Sequence, residues 1–572
     1  MQLVNSLRFH NLRGDLFGGL TAAIVALPLA LAFGVSSGAG AITGLYGAIF
    51  VGFLAALFGG TPSQISGPTG PMTVVMTTVF TALVAKNPDT GLAIAFTVVM
   101  LGGLFQILFG VLRLGKYITL MPYTVISGFM SGIGAIIILI EIPPLLGYES
   151  SGSVINSLRN LPNFLANPNP AATGLGILTL VIVFGAPARL NRVLPSPLLA
   201  LIVGTLISVY LLPDTDIIRI GDIPTGLPTL HWPAFELDQI KDMVVYGLML
   251  ATLGSIDSLL TSLVADNITR TQHDSDRELI GQGIGNLISG LFGGLPGAGA
   301  TMRTVINVRA GGKTPLSGII HALILLVIVL GAGKLTESIP HAILAGILIK
   351  VGIDIIDWSF LKRAHRISMK ATGIMYGVLF LTVFVDLITA VAFGVFVANL
   401  LTVKKLTDWQ AGEIKATTTP NDEMRLSHEE KQLLLQAHGR ILLFSLGGPM
   451  SFGAAKSISR RMAIVEKYDV LILDFSDVPI LGVTASLAIE TMVKDAREKR
   501  REVFIVGASG EVQKRLQRLE ILENLPLQNR VTNRLNALQQ AVNLINREQV
   551  SVSEIASNAH QVEMSDTVPK DS

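Results

Sequence analysis

Long apolar runs, each closed by a short polar or glycine- and proline-rich interruption, fill the chain up to about residue 405 and then stop. Crossing the hydrocarbon core as a helix takes about 20 predominantly apolar residues. On that measure the pattern predicts about fourteen segments, near 15–34, 41–59, 68–84, 91–113, 119–140, 172–188, 195–212, 243–264, 279–294, 300–309, 315–333, 339–355, 369–385 and 387–403. Two of them look too short to cross. The third is led in by "SGPTGPMTVV" (66–75) and the tenth by "PGAGATMRTVI" (296–306), small-residue stretches hostile to helix.

The loops carry an orientation. With the N-terminus in the cytoplasm, basic residues belong after even-numbered segments. Arg113 and Lys116 follow the fourth, Arg189 and Arg192 the sixth, Arg270 and Arg277 the eighth, Arg309 and Lys313 the tenth, and "SFLKRAHRISMK" the twelfth. Both ends are therefore expected on the cytoplasmic side. The first segment runs on into others without a small-residue cleavage site, so it reads as a retained span and not a signal peptide.

From about 405 the pattern becomes that of a soluble protein. A charged linker (405–438) leads to a small α/β domain (439–550), whose strand candidates "RILLFSL", "DVLILDFS" and "EVFIVG" alternate with helical stretches, and a polar tail (551–572) is expected to be disordered.

Composition sharpens this picture in two ways. Only 15% of residues are charged and 50% are hydrophobic, against roughly 25% charged in soluble domains. The chain has no cysteine, which excludes disulfides, thiolate metal sites and a cysteine nucleophile. A net charge of +2 gives no reason to expect nucleic acid as a partner.

The two short segments share Thr-Val-aliphatic ("GPMTVV", "TMRTVI") about 231 residues apart, a distance of seven segments. An odd number of spans inverts the second copy relative to the first, the arrangement of transporters whose site lies near the midplane between repeats. A proline in the first helical turn removes no intrahelical bond. Two half-helices starting head to head inside the membrane would aim free N–H groups and positive dipole ends at one point, an anion site. Ser66, Thr69, Thr73, Thr301 and Thr304 are candidate supplementary donors, or alternatively caps and interhelical packing groups. Arg303 adds positive charge or serves as an ion-pair partner.

Asp257 lies deep in the eighth segment, "MVVYGLMLATLGSIDSLLTSLVADN". A carboxylate at a helix centre costs roughly 2.5–3.5 kcal/mol on insertion scales, so it points to function. Thr261 shares its face, with Ser258 and Ser262 nearby, an all-oxygen set suited to a hard cation such as sodium. A proton on Asp257 and a structural pairing with Arg303 are the other readings. His321, His341, Lys350 and Asp386 read as interhelical or interfacial groups, and Glu141 as an interfacial one.

The stretches "GDLFGGLTAAIVALPLALAFG", "SGPTGPMTVVM", "GSIDSLLTSLVADNITRT", "ELIGQGIGN" and "GGLPGAGATMRTVINVRAGGKTPLSG" resemble the sulfate permease (SulP) family of anion transporters, and within it the BicA-type sodium-dependent bicarbonate transporters. The C-terminal part resembles a STAS domain. The resemblance implies an α-helical membrane fold of about 14 segments in a seven-plus-seven inverted repeat, half-helices at segments 3 and 10, and a cytoplasmic STAS domain through which the chain forms a homodimer. It implies bicarbonate binding by Leu29, Phe33, Thr69, Ala300, Thr301 and Met302, and a sodium site at Asp257, Thr261, Gly299 and Ala300. Arg303 matches a basic position of some members. The STAS turn departs from the regulators of that fold: Gly482, Val483 and Thr484 stand where those carry a phosphorylated serine, so the usual phosphoswitch is not expected.

These readings converge on a multi-pass protein of the plasma (inner) membrane that takes up bicarbonate with sodium and has no other cofactor. Two alternatives stay open: a proton-coupled or exchanging carrier of sulfate or another oxyanion, and an anion channel or membrane-anchored sensor. A zinc enzyme such as a carbonic anhydrase is not expected, because no His cluster at zinc-ligand spacing occurs in the membrane part.

Overall fold

The structure is a computed structural model that describes residues 5, 9–84, 90–118, 121–150, 153–187, 190, 194–213, 215–221, 228–385, 387–420, 424–462 and 467–547. Arg189, Arg192, Asp386 and the tail 551–572 lie outside the described residues. Each apolar segment of the sequence is a helix: α1 (Leu12–Ser36), α2 (Ala41–Phe58), α3 (Gly70–Val84), α4 (Gly91–Val111), α5 (Tyr123–Leu145), α6 (Pro170–Gly185), α7 (Ser196–Tyr210), α8 (Ile240–Thr269), α9 (Ser275–Leu291), α10 (Thr301–Arg309), α11 (Pro315–Thr336), α12 (His341–Ile355), α13 (Met369–Phe384) and α14 (Leu387–Gly412). Among the described residues, six helical stretches have both the length and the apolar character to cross a membrane alone. α3, at 15 residues, and α10, at 9, are short, as their lead-ins foretell.

Local chemistry sets several of these starts. The Asn169 side chain accepts from the N–H groups of Ala171 and Ala172 ahead of Pro170, and Thr314 does the same for Leu316 ahead of Pro315. Asp15, fully buried in the first turn of α1, accepts from the N–H groups of Lys313 and Thr314 and from the Thr314 hydroxyl, tying α1 to the start of α11.

Within residues 1–398 the helices sort into two bundles by their packing partners. α1–α4 pack with α8–α11, and α5–α7 pack with α12 and α13; α1 against α7 and α12, and α3 against α5, join the two. The first half of the chain thus contributes four helices to one bundle and three to the other, and the second half contributes four and then α12 and α13 in the same order. The contact of α4 with α9 is closest at Gly103 and Gly283: a Cβ on Gly103 would lie 2.4 Å from the Leu287 nitrogen. Only glycine permits that approach.

The second unit, from Asn399 on, is an α/β domain. Its sheet runs in order β3 (Ile414–Thr417), β4 (Ile441–Gly447), β5 (Val470–Asp477), β6 (Glu502–Val506), β7 (Arg530–Val531), with β3 antiparallel to β4 and the other pairs parallel. Helices at Phe452–Met462, Val483–Glu498 and Gly510–Arg518 intervene. Apolar clusters cover both sheet faces, one around Phe444, Leu473 and Ile489, the other around Leu443, Phe504 and Leu538. The stretch 405–438 differs from the expected linker: α14 continues to Gly412, β3 extends the sheet, and a helix at His428–Gln436 opens with a capping box of Ser427 and Glu430. Its charge misled because an edge strand and a surface helix need bury only a few side chains, here Ile414 and Thr417 of the strand and Glu430 and Leu434 of the helix.

Candidate functional site

The two small-residue lead-ins meet. β1 (Ser66–Gly67) pairs antiparallel with β2 (Ala298–Gly299), Ser66 opposite Gly299 and Gly67 opposite Ala298. The Ala300 N–H donates to the Ile65 carbonyl at 2.9 Å, and the Ile65 N–H to Thr304 Oγ1 at 3.0 Å. The pairing satisfies non-helical backbone that lipid could not. Glycine is required here: Gly67 sits at φ +151°, and a Cβ on Gly297 would fall 2.5 Å from the Gly67 backbone. Immediately beyond, α3 and α10 begin. The earliest intrahelical bonds run from the Thr73 and Thr304 N–H groups to Thr69 and Ala300, so the preceding N–H groups of each first turn have no carbonyl in their own helix.

Two helices hold this crossing. On α9 a polar row at helical spacing, Glu278, Gln282, Asn286 and Ser289, faces the lead-ins. Glu278 accepts from the Gly60 and Thr61 N–H groups, both at 2.9 Å, and from the amides of Gln64 (2.7 Å) and Gln282 (2.8 Å). Gln282 also donates to Ser66 Oγ, Asn286 exchanges two bonds with the Gly297 backbone, and Ser289 donates to Leu295. The sequence reading found the "ELIGQGIGN" stretch but not this role; its signal was the four-residue spacing of polar side chains in an apolar segment. On α8, Ser258 Oγ accepts from the Gly299 N–H at 3.0 Å, and Thr261 Oγ1 donates to the Gly299 carbonyl at 2.9 Å and lies 2.7 Å from Thr301 Oγ1.

Asp257 differs from all of these. Its Oδ2 is buried and has no hydrogen-bond partner among the described residues, and the same is true of Thr69 Oγ1. Arg303 is buried, and its guanidinium donates to the Pro68 carbonyl at the approach to α3; no ion pair to Asp257 is formed. Of the candidate anion donors, Ser66, Thr73 and Thr304 are committed to scaffold bonds with Gln282, the Thr69 carbonyl and the Ile65 N–H. Strand alternation turns Ser66 toward α9. Thr69 is the hydroxyl left uncommitted at the helix starts among the described residues, while Thr301 is bonded to Thr261.

Leu29 and Met302 line a cavity of about 780 Å³ whose walls include Thr21 and Val25 of α1, Arg309 of α10, Phe184 of α6, and Lys350 and Asp354 of α12. Met302 is 50% exposed, whereas Phe33, Thr69 and Ala300 are buried and do not line this cavity. Lys350 and Asp354 form an ion pair one turn apart. Among the other groups, His321 is buried and neither ring nitrogen has a hydrogen-bond partner among the described residues, and Glu141, near the C-terminal end of α5, is buried within the protein and accepts a hydrogen bond from Ser36. In the α/β domain Thr484 is exposed in the first turn of the helix beginning at Val483.

Comparison with known proteins agrees with this geometry. Residues 12–378 match the sulfate permease family and residues 432–533 the STAS domain. The chain is 55% identical to the bicarbonate transporter BicA of Synechocystis sp. (strain ATCC 27184 / PCC 6803 / Kazusa), over 95% of this chain and 96% of that protein. The solved transmembrane domain of a cyanobacterium bicarbonate transporter BicA is 58% identical, with a TM-score of 0.65 over 68% of this chain and all (100%) of that one. The murine Solute Carrier 26 family member A9 anion transporter, solved in the inward-facing state, shares the fold alone, with a TM-score of 0.80 at 18% identity over 94% of this chain and 92% of its own. The family match over residues 12–378 and the identity along nearly the whole chain make this protein a member of the sulfate permease family, with a membrane domain of that fold followed by a STAS domain.

Proposed function

We propose that the chain carries bicarbonate into the cell together with sodium by alternating access. The observation that carries this reading is the meeting of the α3 and α10 starts beside a buried carboxylate oxygen with no protein partner. Free N–H groups and two dipole ends favour an anion at the crossing. Asp257 Oδ2, the Thr261 hydroxyl and the Gly299 carbonyl offer oxygen ligands to a hard cation next to it. Each ion offsets part of the other's desolvation cost, which is the physical root of coupling. The BicA relatives supply the choice of bicarbonate over other oxyanions.

The substrate set comprises Leu29, Phe33, Thr69, Ala300, Thr301 and Met302, and the sodium set Asp257, Thr261, Gly299 and Ala300. Arg303, held by Pro68, keeps the crossing electropositive without binding either ion directly. The cavity past Leu29 and Met302 serves as the vestibule toward the face bearing Arg309 and Lys350, which we assign to the cytoplasm together with both termini. The protein acts in the plasma membrane as a homodimer through its STAS domain.

Uptake of labelled inorganic carbon into cells lacking their own carriers, at alkaline pH, tests the reading. We expect uptake with sodium, loss of it when choline or potassium replaces sodium, and loss in Asp257→Ala at unchanged membrane abundance. Sodium-independent bicarbonate uptake would transfer Asp257 to a proton. No bicarbonate uptake from abundant protein would refute the substrate and bring sulfate forward.

A further inference from the structure

Alternating access needs a closed end as well as an open one, and the closed end is marked by a bond that crosses between the two bundles. Ser36 Oγ, at the C-terminal end of α1, donates to Glu141 Oε1 on α5 at 2.6 Å. Glu141 is 3% exposed. The Ser36 carbonyl in turn accepts from Thr77 Oγ1 of α3, at 3.2 Å, on the half-helix whose first turn faces the crossing.

The position of this bond follows from one face of α1. Thr21, Val25 and Leu29 line the large cavity, and the same face continues through buried Phe33 to Ser36. Ser36 stands roughly 10 Å along the helix from Leu29, at about 1.5 Å per residue. The path is therefore open on the Arg309 and Lys350 side of Leu29 and shut on the other. Around the shut end, α3 and α5 meet through apolar side chains, and Val74, Thr78, Ile136 and Ile140 border a second cavity of about 330 Å³. Apolar surfaces in a membrane slide past one another with little directional preference. A hydrogen bond to a carboxylate buried between the helices picks out one position, and a carboxyl group so enclosed is costly unless it is bonded.

We propose that Ser36 and Glu141 form the latch that holds this side of the anion path closed, with Glu141 a positioning residue that sets how often the bundles part there. The proposal rests on the alternating-access reading but not on the identity of the anion or the cation.

The chain has no native cysteine, so a single Val74→Cys change in the full-length protein reports on the closed end, where Val74 is 5% exposed. The measurement is its rate of labelling by a membrane-impermeant thiol reagent, in intact cells and in inverted vesicles. Removing the bond by Ser36→Ala or Glu141→Ala is expected to raise labelling from one side about tenfold, the scale of one hydrogen bond to a charged group. Glu141→Gln keeps an acceptor oxygen and stays within about twofold of the parent. The Ser36→Ala/Glu141→Ala pair is no faster than Glu141→Ala alone. Unchanged rates in both single variants, or effects that multiply in the pair, overturn the latch; if Glu141→Ala does not reach the membrane, Ser36→Ala decides. Inorganic-carbon uptake by the parent, measured alongside, separates the two ideas: altered labelling without uptake keeps the latch and removes the substrate assignment.

Discussion

Two carboxylates stand on successive helices of the same bundle, Glu278 buried whole and Asp257 with one buried oxygen, and their surroundings are opposites. Glu278 on α9 accepts four hydrogen bonds and fastens the approach to the first half-helix. Asp257 on α8 faces the crossing with Thr69 and Arg303 as its polar neighbours and an Oδ2 that has no hydrogen-bond partner within bonding geometry among the described residues. The back of the site is finished by the fold, and the front is where the proposed function places the ions. A buried charge with its full complement of donors is part of the scaffold, whereas one short of partners is part of the reaction.

The largest expected effect tests the back. Glu278→Ala strands two backbone N–H groups and two amides, at about 1–3 kcal/mol each. Detergent-extracted protein is expected to lose its monodisperse folded peak altogether, with Glu278→Gln recovering part of it. Asp257→Asn tests the front. It is expected to melt within a few degrees of the parent in choline, to abolish uptake, and to remove the sodium-induced rise in melting temperature that ion binding to the folded state produces. An Asp257→Asn protein that unfolds as readily as Glu278→Ala would erase the distinction.

Between these extremes lies Thr261, whose hydroxyl is bonded to scaffold and site at once. Thr261→Val is expected to fold, to retain transport, and to weaken apparent sodium affinity about fivefold to tenfold in uptake assays, as loss of one hydrogen bond implies.

The smallest effect concerns a third carboxylate, in the STAS domain. Burial alone would raise the Glu430 carboxyl, but hydrogen bonds from Arg534 and the Ser427 N–H, with the Arg534 charge, outweigh it and hold the group below the ordinary carboxylate range. A group depressed in the folded state adds stability above its unfolded pKa and loses it as pH falls through the folded one. Hydrogen exchange in residues 427–436 of the intact protein is expected to quicken modestly on acidification into that range, and Glu430→Gln to abolish the pH dependence. Glu278 has no counterpart to Arg534, so charge pairing separates the soluble solution to a buried carboxylate from the intramembrane one.

Much of this was legible from the sequence because membrane helices announce themselves by length and the lead-ins by their glycine and proline content. Asp257 stood out as an acid in an apolar run, and the short tenth segment as a helix that starts late. Glu278 did not stand out, because it lies at the polar start of α9, where an acidic residue is ordinary. Glu141 looked like an interfacial group without a partner because the Ser36 bond joins residues 105 apart in the chain, a contact no local pattern announces. The partners of Arg303 and Ser66 depend on which way a two-residue strand faces, and no periodicity can be read from two residues. The STAS edge elements were hidden by their charge, since a strand with only one covered face can afford polar neighbours.

The crossing strands also set a schedule for the cell's assembly machinery. The lead-in to α3 waits for partners made much later: Ile65 bonds to Thr304, 239 residues further along. At about 5–20 residues per second this is roughly ten to fifty seconds of synthesis. Until then the unpaired backbone of residues 61–69 must rest beside the insertion channel, in trapped water or against an insertion factor. The yield of functional protein is therefore expected to depend on how long the α3 lead-in is held during production of α4–α8.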